Sequence, residues 1–487
     1  MVDLVSGSVV LLAAASLVIP LTQLLGRKKE IPGYILAAVL ALAMVMVGAF
    51  ATNPVKIEWF GSLLASDSLG AFFALVTLGV TLMVTVASVG YYTPSNSGIY
   101  YGLLSSAALG MVLLSFSQNL LMLFIAWELM SLPTYVLAGF DKRRTQSNEA
   151  SVKYAIIGAT SSAILLYAIS LVYGLTGSTQ ISVVVQKLGS TPPTLLSGLA
   201  VLLFIAGFGF KMSIVPFHMW IPDTYEGAPT TVSTLLAAAT KKAGFIAAIR
   251  VLLGLATVYA LTQNSLFTMA NVLAVLALVT MTLGNVAALT QKSMLRLLAY
   301  SSIAQAGYML VGFVPYANNY LSPAATIGMT GVLFHVLNHA IMKGVAFLAA
   351  ALVLFELRRS DLGAYNGLGR RMPYTAFTMA VAFLALAGVP PLNGFWSKLL
   401  LFLSVSSPQF VWLAVAGIVN SAFSLGYYAW LIKRMYLDDP ESTERVKEPL
   451  LFIILFAIAV GLMIGIGLFP QAVINFASNA IPGIVPK

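Results

Sequence analysis

The chain has 487 residues, 59% of them hydrophobic and only 9% charged, with a net charge of +10. Average soluble domains are about 25% charged, so this composition excludes a soluble globule and describes a polytopic membrane protein. The absence of cysteine excludes disulfides, thiolate zinc sites and cysteine-ligated iron–sulfur clusters.

Met1-Val2-Asp3 lacks the basic stretch of a signal peptide, so the first apolar segment is expected to remain as a span. Windows of about 20 apolar residues predict about fourteen helices. Their cores are 5–25, 33–52, 69–91, 98–116, 119–140, 152–176, 194–216, 231–260, 270–289, 295–315, 323–355, 374–405, 409–432 and 449–478, and the two long ones at 323–355 and 374–405 are expected to bend or break. No stretch between them is large enough for a cofactor-binding domain. Basic residues gather after odd-numbered spans: Arg27, Lys28 and Lys29, then Lys142, Arg143 and Arg144, then Lys292 and Arg296, then Arg358, Arg359, Arg370 and Arg371, and last Lys433, Arg434, Arg445 and Lys447. The other side carries Lys56, Lys187 and Lys487. The positive-inside rule then puts both termini outside. This placement of charge marks topology, not nucleic-acid binding.

The fifth span carries Glu128, the one acidic residue well inside an apolar stretch. Lys153 and Arg250 fall near the ends of the sixth and eighth spans, where a long side chain snorkels to the interface. Lys211, Lys241, Lys242, Lys343 and Lys398 lie deeper. Each charge at mid-bilayer costs roughly 2.5–3.5 kcal/mol on insertion scales, so it needs water, a partner or a use. The commonest use is a relay for protons or ions.

The seventh span joins Lys211 to Pro216 and His218, and the twelfth joins Pro390 and Pro391 to Lys398. Proline frees backbone carbonyls, which is tolerated at depth only where protein or water satisfies them. Corresponding breaks in two halves point to an inverted repeat with an ion site at the breaks. The expected fold is an all-α polytopic membrane protein with two inverted five-helix repeats and broken helices at spans 7 and 12. The expected division is 1–95 for spans 1–3, 96–262 for spans 4–8, 263–437 for spans 9–13 and 438–487 for span 14. In the eleventh span His335, His339 and Lys343 share one helical face. No carboxylate or third ligand is evident nearby, so a hydrated proton path suits the two histidines better than a metal.

The stretches Trp127 to Pro133, Phe210 to Lys242, Gly284 to Tyr308 and Gly388 to Lys398 resemble the antiporter-like membrane subunits of respiratory complex I, which are related to Mrp-type sodium/proton antiporter subunits. The resemblance runs from about residue 70 to 435. Within the family the chain looks most like the N-type subunit. The His335, His339 and Lys343 stripe instead looks like the M and L types and Mrp subunits, a difference that suggests an archaeal relative such as the deazaflavin-linked dehydrogenase of methanogens. The resemblance implies a proton relay of Glu128 paired with Lys211, then Lys241, then His335, His339 and Lys343 as the bridge to Lys398. It gives Lys153 and His218 lesser roles. Lys242 has no clear counterpart and reads as a neighbour facing a helix interface.

This reading makes the chain a non-redox, proton-translocating subunit of a dehydrogenase that reduces a quinone-type acceptor. It expects no cofactor or metal in this chain, with flavin and iron–sulfur clusters in partner subunits of the membrane-bound complex. The expected partners are other membrane-arm subunits and lipids, in a prokaryotic cytoplasmic membrane. The rival readings are an Mrp-type sodium/proton antiporter subunit and a non-pumping scaffold.

Overall fold

The computed structural model describes residues 4–25, 29–91, 96–192, 194–259, 268–442 and 444–481. Arg27, Lys28 and Lys487, used above to read orientation, lie outside the described residues. Among the described residues twelve helices are long and apolar enough to cross a membrane. The expected eighth and twelfth spans supply none of these, and the expected fourteenth ends at Leu468, with a separate short helix at Gln471–Ala480. Residues 230–259 form short α-helical pieces joined through π turns at Leu236–Thr240 and Ile249–Leu253. The twelfth span divides into Pro373–Ala387 and Asn393–Ser404. The eleventh does not divide: Pro323–Leu357 runs as one helix of 35 residues.

Polar caps set where several of these helices begin. Asn119 accepts hydrogen bonds from the amides of Leu121 and Met122 ahead of Leu120–Ala138. Thr194 and Ser197 form a reciprocal capping box ahead of Leu195–Met212. Ser322 caps the long eleventh helix through the amide of Ala325. The centre of the bundle is Met294–Asn318, 94% buried, whereas Leu4–Thr22, Ile31–Thr52, Val411–Tyr436 and Leu450–Leu468 are about one-third buried and form the lipid-facing or partner-facing rim.

The two breaks have the same backbone design. Ser213 at φ 68 and Gly388 at φ 88 each take the left-handed conformation three residues before a cis proline, Pro216 and Pro391. The amide of Ile214 bonds the carbonyl of Gly209 at 3.0 Å, as Val389 bonds Leu384 at 3.0 Å. Phe217 then bonds Ile214 at 2.8 Å, as Leu392 bonds Val389 at 3.0 Å. In this shared register Lys211 precedes its break and Lys398 follows its own, so the two lysines are not equivalent positions. The residue equivalent to Lys398 is Asp223.

The five-span units run in opposite directions. Asp223 bonds Lys153, near the start of Thr145–Thr176, and Arg296, near the start of Met294–Val311. The sixth and tenth spans therefore begin at one face, and the fifth begins at the other. Each unit also closes its loop in the same way. The amide of Leu120 bonds the carbonyl of Thr179 at 2.8 Å, and that of Met294 bonds Ser360 at 3.0 Å.

Arg250 is not snorkelling. Its guanidinium is 4% exposed and bonds both oxygens of Asp67 at 2.9 Å, together with the carbonyl of Ser115. Asp67 heads the third span and also caps it through the amide of Gly70. The pair ties residues 249–253 to the third and fourth spans.

Candidate proton path

Lys211 ends the first half of the seventh span and is 1% exposed. Its Nζ donates to the Tyr154 hydroxyl at 2.7 Å and lies 4.9 Å from that ring, 5.5 Å from Tyr135 and 5.7 Å from Phe210. The expected ion pair with Glu128 is not formed. Glu128 is half-buried and accepts a hydrogen bond from Ser162. Glu128 shares a helix face with Ser131 and Tyr135, and the hydroxyls of both make no hydrogen bond within the chain. The carboxylate and the lysine thus each have a neutral partner of their own, and Gly244 lets the eighth span pack straight onto Lys211: a Cβ there would come within 2.9 Å of the Lys211 Cβ.

Lys241 and Lys242 follow the first π turn and are both fully buried. Lys241 Nζ donates to the carbonyl of Ser302 at 2.9 Å and to its hydroxyl at 2.8 Å. Lys343 donates to the adjacent Ser301 hydroxyl at 2.6 Å and to the Leu298 carbonyl at 3.3 Å. Ser301 in turn shares a short bond with the Tyr428 hydroxyl. Lys242, read from the sequence as an interface neighbour, instead lies 2.5 Å from Nδ1 of His339. Nε2 of His339 makes no hydrogen bond within the chain.

His335 and His339 are one helical turn apart, with ring centroids 6.3 Å from each other. His335 Nε2 donates to the Gln305 Oε1 at 2.9 Å, an orientation set by the Gln305 amide, which donates to the Leu386 carbonyl at 3.1 Å. Its Nδ1 is 2.9 Å from the Ser397 hydroxyl, which also reaches the Gly394 carbonyl at 3.1 Å. Neutral His335 accepts the Ser397 proton at Nδ1. Charged His335 donates from Nδ1 while Ser397 turns to Gly394. Both protonation states keep their hydrogen bonds.

Lys398 uses its break directly. Its Nζ donates at 2.9 Å to the carbonyl of Ala387, the last residue before the break, and at 2.9 Å to Ser421. The Tyr308 ring lies 4.6 Å away. Tyr308 is held by Asn285, whose amide donates to its hydroxyl at 3.0 Å and also meets Asn420.

Two of the expected secondary residues lie apart from this set. Lys153 is 42% exposed and pairs with Glu149 at 2.6 Å and Asp223 at 2.7 Å. Partial burial would raise the Asp223 carboxyl, but the bonds from Lys153 and Arg296 outweigh it and hold the group below the usual carboxylate range. His218 is 6% exposed in the seventh-span break, and its Nδ1 makes no hydrogen bond within the chain. Sequence reasoning missed the neutral partners Tyr154, Ser302, Gln305, Ser397 and Ser421, because serine, glutamine and tyrosine carry no distinguishing signal in an apolar helix. Among the described residues no three His, Cys, Asp or Glu side chains gather in a metal-binding group.

Buried lysines and histidines on helices broken twice in inverted register define an antiporter-like membrane subunit, and the chain belongs to the family described as "NADH:quinone oxidoreductase/Mrp antiporter, TM", whose profile matches residues 117–424. It is 40% identical to the F(420)H(2) dehydrogenase subunit N of Methanosarcina mazei, over 98% of this chain and 97% of that one. It is 38% identical to the NADH-quinone oxidoreductase subunit N of Desulfitobacterium hafniense, over 86% of each chain. Among solved structures it resembles a chain of respiratory complex I from Thermus thermophilus with a TM-score of 0.80 and 32% identity, covering 97% of this chain and 99% of that one.

Proposed function

We propose that this chain is the N-type, proton-translocating membrane-arm subunit of a complex I-like dehydrogenase, coupling reduction of a quinone-type acceptor to proton movement. The observation that carries the reading is the buried series on the eighth, eleventh and twelfth spans. Lys242 meets His339, His335 is hydrogen-bonded in either charge state, and Lys398 is held by a carbonyl its own break sets free. The subunit itself is non-redox, and flavin and iron–sulfur clusters reside in partner subunits. Glu128, Lys211, Lys241, His335, His339, Lys343 and Lys398 act as the relay, with water between groups that do not touch. The similarity to the F(420)H(2) dehydrogenase subunit supports an archaeal-type complex of that kind. The repeat boundaries near 96–262 and 263–437, and an orientation with both termini outside a prokaryotic cytoplasmic membrane, complete the reading.

The test is pumping by the purified complex in sealed vesicles. Proton movement should accompany acceptor reduction without sodium, and Lys398→Met should remove the share carried by this chain. Sodium-dependent proton exchange, with only small membrane proteins co-purifying, would favour the Mrp-type reading instead.

A further inference from the structure

Lys241 and Lys242 are adjacent in sequence, and consecutive helical residues point about 100° apart. Lys241 is directed to Ser302 on the tenth span and Lys242 to His339 on the eleventh. The π turns on either side of Lys241–Ala248 each shift the helical register by a residue. They set which lysine meets which neighbour.

We infer that Lys242 is the lysine that passes the proton directly to the histidine pair, and that Lys241, held against Ser302 of the tenth span, stands one step before it in the relay. The inference rests on the relay reading above. Its basis is the chemistry of the partners. Lys241 and Lys343 both donate to a backbone carbonyl and a serine hydroxyl. Those oxygens stabilise an ammonium but are too weakly basic to take its proton. Among the described residues Lys242 is the one buried lysine bonded to a base, the His339 imidazole. An ammonium has donors and no acceptor, so charged Lys242 donates to Nδ1 and the imidazole hydrogen sits on Nε2. In the transfer a Lys242 N–H bond breaks and an Nδ1–H bond forms. Lys242 becomes a neutral amine and His339 an imidazolium. The imidazolium can then release its Nε2 proton, since that nitrogen makes no bond within the chain and the His335 ring is the next base along the helix face.

The experiment measures protons moved per electron pair by the assembled complex in vesicles. Lys242→Met and His339→Gln should each lower the pumping carried by this chain by on the order of tenfold or more. The double variant should pump no less than either single one, because both remove one step. Lys242→Arg keeps the charge but cannot release it, and should fail as Lys242→Met does. If Lys242→Met does not assemble, Lys242→Arg and His339→Gln carry the test. Wild-type pumping by Lys242→Arg, or by Lys242→Met when Lys241→Met is inactive, overturns this inference and leaves the relay standing. Normal pumping by Lys241→Met, Lys242→Met and His339→Gln alike overturns the relay itself.

Discussion

Asp223 and Lys398 stand at the same position after the two helix breaks, seven residues beyond Pro216 and Pro391, and carry opposite charges. Asp223 is one-third exposed and neutralised by Lys153 and Arg296. Lys398 is 4% exposed and has only neutral partners. A repeated backbone motif thus ends in a surface charge cluster in one copy and in a buried cation in the other.

Asp223→Asn should loosen the contact between the sixth, seventh and tenth spans. The carboxyl lies lower in the folded chain than its ordinary value. Its contribution is therefore present above about pH 4 and is lost as pH falls through the folded value. The melting temperatures of wild-type and variant complex should differ at neutral pH and converge in acid. The effect is small, since exposed pairs contribute about 0–1 kcal/mol each, and high salt should shrink it further.

Glu128→Gln keeps the acceptor for Ser162 and removes the charge. The complex should assemble with sharply reduced proton pumping, and with reduced acceptor reduction where coupling is tight. Normal pumping by the assembled variant would remove Glu128 from the path. Loss of assembly would make its role structural.

Tyr308 offers Lys398 a ring face at 4.6 Å. A desolvated contact of this kind is worth about 2 kcal/mol or more. Tyr308→Phe keeps the face and should pump close to wild type. Tyr308→Leu should lower pumping by roughly tenfold while the complex still forms. Equal losses in the two variants would place the role in the hydroxyl and its Asn285 bond.

Asp67→Ala leaves Arg250 buried without its carboxylate. Breaking a buried pair from one side costs about 3–5 kcal/mol, so the complex should assemble poorly or melt early. Asp67→Leu combined with Arg250→Met should recover much of that stability, less the cap on Gly70. Thermal unfolding of the three forms checks the order.

The sequence made the broad architecture legible because lysine, histidine and proline are conspicuous in apolar helices. Lys211, Lys398 and the histidine face were found this way, and so were both breaks. What a one-dimensional pattern does not carry is direction. Lys242 looked like a bystander because a π turn re-aims it, and π turns leave no compositional trace. Arg250 looked like a snorkelling end because its partner Asp67 lies far away in the chain. Glu128 and Lys211 were matched as the available acid and base, yet Tyr154 takes the lysine's bond. The shared register of the breaks became clear only from their hydrogen bonds, which showed that Lys211 and Lys398 are not counterparts.

Residues 230–259 carry Lys241, Lys242 and Arg250 on a helix interrupted by two π turns. Released alone into lipid during synthesis, each charge would meet a penalty of roughly 2.5–3.5 kcal/mol. The carboxylate that receives Arg250 is made 183 residues earlier, at the head of the third span. The nascent segment therefore finds its counter-charge already waiting in the membrane. The order of translation thus serves Arg250, whereas the partners of Lys241 and Lys242, Ser302 and His339, are made after them.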